Sequence, residues 1–252
     1  MLTHPLLPKL RALKLSGMLQ TLELRAAQAT ERGLDPIAFL ALLLDDELDR
    51  RQQNRLAYHL ALSGCDPHKT LALFDFAAAP GVNRTVVQEL ATCGFVARHE
   101  SVLLCGPTGV GKSHLANAIA CEALKRNYRV LARATHHLLA DLHAARATGT
   151  YARQLSRALG CDLLVLDDFG LQPIAAQGAQ NLYDIISDRY ERGSILLTSN
   201  RAFEKWAEPF ANDLLASAAL DRLTHHAHIL TIRGQSYRQR TRLKEVPSSA
   251  QA

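Results

Sequence analysis

The chain has 252 residues, 48% of them hydrophobic and 21% charged, which supplies a sizeable core and excludes wholesale disorder. Its longest apolar run, Ile37 to Leu44, falls far short of the roughly 20 residues of a bilayer span, so no transmembrane helix is expected. The N-terminus has no basic region leading into an apolar stretch, and the five cysteines form no C-x-x-C pair. No signal peptide is therefore expected, neither a disulfide framework nor a zinc site fits the cysteines, and the expected compartment is the cytoplasm.

The net charge of +5 is unevenly placed. Residues 1–75 balance nine bases against nine acids, whereas residues 122–160 hold seven bases against Glu122 and Asp141. Residues 161–228 reverse the sign with five bases and ten acids, and residues 229–252 set five bases against Glu245. Basic segments on either side of an acidic middle point to a polyanion surface beside a metal- or phosphate-handling site.

Taken in chain order, residues 6–60 read as helix. Leu15, Met18, Leu19 and Leu22 recur at helical spacing, and Asp35 followed by Pro36 predicts an N-cap and first turn. Leu40, Leu43, Leu44 and Leu48 are expected to face inward. Gly64-Cys65-Asp66-Pro67 breaks the pattern, so residues 1–68 are expected to form a small helical domain that serves partner or oligomer contacts. Beyond residue 75, short apolar runs alternate with helices: candidate strands are 101–105, 129–133, 162–166, 194–198 and 227–231. This alternation predicts an α/β fold with a parallel sheet over residues 69–245, and a disordered tail at 246–252.

One motif decides the class. Gly106-Pro107-Thr108-Gly109-Val110-Gly111-Lys112-Ser113 matches G-x-x-x-x-G-K-[ST] in full, between a strand and a helix that begins at about His114. Its backbone N–H groups would turn toward the phosphates of ATP, Lys112 would supply a point charge, and Ser113 would offer a hydroxyl to Mg²⁺. The apolar strand Leu163 to Leu166 then ends in Asp167 and Asp168. Asp167 is assigned to the magnesium shell and Asp168 to polarising the attacking water, with a helix N-cap as the alternative role for Asp168. Asn200, after the fourth strand, could orient that water, or belong to a simple polar turn. Arg222, on a helix before the last strand, could enter a neighbouring subunit's site as an arginine finger, or pair locally with Asp221.

Together, the P-loop, Asp-Asp-Phe-Gly at 167–170, Thr-Ser-Asn at 198–200 and the run Asp221 to His228 resemble the IstB-like ATPases. These are AAA+ proteins close to the helicase loader DnaC and the initiator DnaA. The resemblance extends to Leu13-Lys14-Leu15-Ser16-Gly17-Met18, the helix from Phe39 to Arg51 and the linker from Lys69 to Phe76. It implies an AAA+ P-loop fold with a five-stranded parallel sheet, and a slow, DNA-stimulated ATPase that regulates transposition. Such a protein would form homo-oligomers with ATP on double-stranded DNA, largely regardless of sequence, and recruit a partner transposase. The helices between the second and third strands, residues 136–159, would grip DNA through Arg146, Tyr151, Arg153 and Arg157, and the nucleotide site would extend to His114. Asp168 stands where many AAA+ ATPases have Glu, and the short C-terminus leaves Arg238 as a weak nucleotide-sensing candidate. A DnaC-like helicase loader and, at greater distance, a P-loop kinase are the competing readings.

Overall fold

The computed structural model describes residues 5–210, 212–234 and 236; Arg238 and the tail at 246–252 lie outside them. The chain divides into two compact units, one ending at Tyr58 and one starting at His59, so the division falls inside a helix and ahead of the expected 68/69 boundary.

The first unit holds α1 (Leu6–Ala12), α2 (Ser16–Arg32) and the start of α3 (Pro36–Ser63). Gly33, at φ 62°, ends α2 in the left-handed turn that glycine adopts without strain. The Asp35 carboxylate accepts the N–H groups of Ile37 and Ala38 at 2.9 and 3.0 Å, the expected cap of α3. Met18, Leu22 and Leu43 form a small core with Leu15 and Phe39 around it. The inward set on α3 differs from expectation: Leu40, Leu44 and Leu48 are 48%, 46% and 63% exposed. Leucines surround this stretch of α3, so their spacing picks no face. Gly17 decides it instead, because a Cβ there would lie 2.5 Å from the Asp46 carbonyl oxygen and 2.6 Å from Glu47 Cα. The missing side chain lets α2 close onto the Phe39–Leu43–Glu47 face, where Glu47 is buried and accepts the Gly17 N–H at 2.6 Å.

The second unit continues through α4 (Arg84–Ala91), α5 (Gly94–Ala97), β1 (Ser101–Cys105), α6 (Lys112–Lys125), β2 (Val130–Ala134), α7 (Thr135–Ala147) and α8 (Tyr151–Leu159). β3 (Leu163–Phe169), α9 (Ala176–Arg189), β4 (Ser194–Ser199), α10 (Asp213–His225) and β5 (Ala227–Thr231) complete it. The strands lie in the order β2-β3-β4-β1-β5, and every pairing is parallel. β1 and β5 coincide with the expected strands, while β3 runs further and takes both aspartates with it.

The middles of the central strands are apolar because both faces are covered. Leu103, Leu164, Ile195 and Leu197 meet Leu142, Leu182, Ile185 and Trp206 in one continuous core. The alternate residues face the other way, and α6 packs across β1, β2, β3 and β4. Parallel order sets the carboxyl ends of β1, β3 and β4 along one edge, where doubly covered sheets bind ligands. Among the described residues no helix is long and apolar enough to cross a membrane.

Candidate nucleotide site

The loop leaving β1 lies at that edge. Gly111 is the N-cap of α6 with φ 97°, a backbone state that L side chains rarely adopt. A Cβ there would also sit 2.7 Å from the Phe74 ring, so glycine answers both to the turn and to a close neighbour. α6 starts at Lys112, two residues before the expected start, and its first N–H groups and dipole face the loop.

Lys112 is 6% exposed and donates from Nζ to the Pro107 carbonyl at 2.8 Å. Burial pushes its ammonium down from the ordinary lysine value, with Asp168 and Asp167 opposing that shift. A buried cation held by a loop carbonyl gains a stronger partner when a phosphate enters.

Ser113 donates from Oγ to Asp167 Oδ1 at 2.9 Å, joining the start of α6 to the end of β3 across 54 positions of sequence. Thr198, fully buried at the end of β4, donates its hydroxyl to the same oxygen. That hydroxyl in turn accepts the Asp168 N–H at 3.1 Å. The Asp167 carboxylate is therefore oriented by two hydroxyls, one from each flanking element. A fully oxygen donor set of this kind, hydroxyl plus carboxylate, suits Mg²⁺ and not a softer ion.

Asp168 sits one residue on, at φ 54°, where the β3–β4 register shifts between Leu166 and Phe169. The irregularity turns Asp168 away from the regular pleat, and it lines the cavity over the loop. Asn200, following β4, lines the same cavity.

This cavity has a volume of about 810 Å³ and gathers Thr108 to His114 with Asp168 and Asn200. The linker also lines it, through Leu73, Phe74, Ala78 and Ala79. Asn117 pins that linker to α6: its side chain accepts the Asp66 N–H at 2.8 Å and donates to the Asp66 and Lys69 carbonyls at 2.8 and 2.9 Å. His114 Nε2 lies 2.9 Å from the Thr70 carbonyl oxygen, and its ring meets Phe74 edge-on. Arg233 also reaches the cavity, whereas Arg238 lies outside the described residues.

A P-loop closed by the Ser113–Asp167–Thr198 set is the geometry that the family match explains. The IstB-like ATP binding protein family matches residues 8–245. This chain belongs to that family. Among its relatives, the insertion sequence IS21 ATP-binding protein of Pseudomonas aeruginosa is 38% identical over 96% of this chain and 91% of its own length. An insertion-sequence ATP-binding protein of Mycobacterium tuberculosis is 39% identical over 92% and 93%. Solved structures share the AAA+ fold of this IstB-like chain. The DnaC helicase loader superposes with a TM-score of 0.52 at 21% identity, covering 59% of this chain and 87% of that one. AMPPCP-bound DnaA from Aquifex aeolicus gives 0.58 at 22%, covering 75% and 58%.

The remaining expected residues of this IstB-like protein lie away from the cavity. Arg222 is on α10, donating to the Ala218 carbonyl at 3.0 Å with its guanidinium 5.4 Å over the Tyr183 ring. Arg146 and Tyr151 both hydrogen-bond Asn181 Oδ1, at 2.9 and 3.0 Å, with Arg146 stacked 3.9 Å over the Tyr151 ring. Asn181 is fully buried, so this pair ties α7 and α8 to α9. Arg153 and Arg157 are exposed on α8, and Arg157 donates to the Leu62 carbonyl at 2.6 Å. Sequence reasoning missed Thr198, Arg233 and the linker wall. A threonine at the end of the strand beside the aspartate strand was the available signal for the first.

Proposed function

We propose that this chain is the ATPase of an insertion-sequence transposition system, binding ATP with Mg²⁺ and assembling as a homo-oligomer on double-stranded DNA. The observation that carries the reading is the convergence of Lys112, Ser113, Asp167 and Thr198 at the edge of one cavity. Backbone N–H groups from Gly109 to Ser113 and the Lys112 ammonium would hold the β- and γ-phosphates. Ser113 and Asp167 would hold Mg²⁺, which when bound neutralises phosphate charge. The apolar linker wall of Leu73, Phe74 and Ala78 offers a surface for the base.

Asp168 would accept a hydrogen bond from the water that attacks the γ-phosphorus, with Asn200 fixing its direction. The bond from phosphorus to the β–γ bridging oxygen breaks, leaving ADP and phosphate. Arg222 would act on a neighbouring protomer's γ-phosphate. Arg153 and Arg157, with the basic 122–160 segment, would contact the DNA backbone and give binding that depends little on sequence. The insertion-sequence relatives support a transposase as the partner that the assembled form recruits.

Phosphate release with and without duplex DNA, combined with electron microscopy of the ATP-bound protein on DNA, tests the reading. DNA-stimulated release and a ring or spiral around the duplex are expected. Turnover indifferent to DNA, with no assembly, would overturn it.

A further inference from the structure

α10 ends at His225, and His226 follows it with φ −128°, ψ 63°. The two rings come to 4.1 Å between centroids. Glu191, in the turn between α9 and β4, has φ 58°, a left-handed conformation uncommon outside glycine, and meets the pair. One nitrogen from each imidazole and one carboxylate oxygen of Glu191 all lie within 4.8 Å of one another. Among the described residues no other three His, Cys, Asp or Glu side chains converge in this way.

A second observation lies beside it, at Glu191 and His226. A cavity of about 20 Å³ is bordered by His99, Tyr190, Glu191, Arg222 and His226. That is room for one water-sized occupant. The Tyr190 hydroxyl lies 2.6 Å from His225 Nδ1 and orients that ring, as groups around metal ligands do. Two cations also border the cavity: Arg222 directs its guanidinium to the Ala218 carbonyl and the Tyr183 ring, and Arg189 donates to the Cys161 and Ser194 carbonyls.

We propose that Glu191, His225 and His226 form a binding site for a transition-metal dication, with Zn²⁺ the best-fitting ion. Two imidazoles and one carboxylate are a donor set for borderline-soft ions, whereas Mg²⁺ and Ca²⁺ take oxygen alone. Three protein donors leave a fourth tetrahedral position for water or for a group from another molecule. Tetrahedral ligation at about 2.1 Å needs donors roughly 3.4 Å apart, so donors within 4.8 Å of one another must draw together by up to about 1.4 Å. All three side chains are exposed and can do so by rotation. The site stands independently of the ATPase reading, since none of its ligands lines the P-loop cavity.

Titration of the untagged, metal-stripped full chain with Co²⁺, followed by displacement with Zn²⁺, tests the proposal without nucleotide. Saturable visible absorption at one ion per chain is expected, removed by Zn²⁺ and untouched by excess Mg²⁺. Glu191→Gln and the pair His225→Ala with His226→Ala should each weaken binding about tenfold or more. Far-UV circular dichroism and ATP affinity report that these variants remain folded. His137→Ala is the control, because His136 and His137 also stack at 4.1 Å but lack a third donor, and its binding should equal wild type. Binding that does not saturate at one ion per chain, or that survives in the double histidine variant, would overturn the site.

Discussion

Ser113 Oγ donates to Asp167 Oδ1 at 2.9 Å, so the first turn of α6 and the end of β3 are joined by their own side chains. The oxygens proposed to hold Mg²⁺ are thereby held together by the fold itself, and the cost of assembling them is met in folding. Lys112 is prepared in the same way, buried and resting on the Pro107 carbonyl.

Lys112→Ala removes the one charge in that loop and leaves its backbone donors. Losing a charge-assisted contact costs about 1.5–3 kcal/mol, or roughly tenfold to a hundredfold in ATP affinity. Equilibrium binding of a fluorescent ATP analogue reads this directly. An unchanged affinity would remove the P-loop assignment.

Asp168→Asn should separate binding from turnover. Asparagine tolerates the left-handed backbone at φ 54°, so the end of β3 should keep its shape. ATP binding should stay near wild type, phosphate release should fall to a small residue, and ATP-dependent complexes on DNA should last longer. Normal turnover would make Asp168 structural.

Much of this was legible from the chain, and the failures have physical causes. β1 and β5 were placed correctly because each is a short apolar run between polar flanks, buried in β1 and partly exposed at the sheet edge in β5. The P-loop was legible because glycine, lysine and serine at that spacing have few other uses. The buried face of α3 was not, since Leu40, Leu42, Leu43 and Leu44 leave no polar side to contrast with. What chooses the face is Gly17, a residue 30 positions from its partner Glu47. The partner of Arg146 was not legible either, because Asn181 lies 35 residues away. Arg189 shows the same limit: 2% exposed, it donates to the carbonyls of Ala158, Cys161 and Ser194, an internal staple that reads as one more basic residue.

The helical unit should be acid-sensitive. Arg25 holds the Asp46 carboxyl down at about 2, through two hydrogen bonds at 2.7 and 2.8 Å. Glu47 is also held below its ordinary value: burial raises it, but hydrogen bonds from Arg51, Gly17 and Met18 outweigh that. Depressed folded-state values mean the stabilisation is complete above the unfolded carboxyl range and disappears as pH falls through the folded values. Protection factors of the helix amides, which correct for the slower intrinsic exchange in acid, should therefore fall from about pH 4 toward pH 2. Glu47→Ala should cost about 1.5–3 kcal/mol at pH 7, because Leu15 offers α2 no side-chain cap and Glu47 replaces one. Exchange indifferent to either change would show that these bonds contribute nothing.

DNA binding should divide the four candidate residues into two classes. Arg153→Ala with Arg157→Ala removes up to two phosphate contacts, flattening the slope of log K against log salt by at most about 1.8. Arg146→Ala should leave the slope and lower thermal stability, because it removes one of the two donors to the buried Asn181 oxygen and the stacking on Tyr151. Reversal of the two outcomes would place the DNA surface on α7 and not on α8.

Arg222 provides the test of an assembly against a monomeric ATPase. It does not line its own chain's P-loop cavity, and α10 holds it beside Tyr183. If it serves a neighbour's γ-phosphate, ATP should favour oligomers where ADP does not, and DNA should strengthen the effect. Arg222→Ala should then keep ATP affinity while losing ATP-dependent assembly and most turnover, a loss of about 10³-fold or more where such fingers operate. Mixing sharpens the test. The Arg222→Ala protein retains a complete pocket, and the Asp168→Asn protein retains a complete finger. At an interface between them, the finger of the second can complete the pocket of the first. Mixed samples should therefore recover part of the lost phosphate release, with a maximum at an intermediate ratio. A finger acting within its own chain gives no recovery at any ratio, because each protomer then lacks one of the two groups.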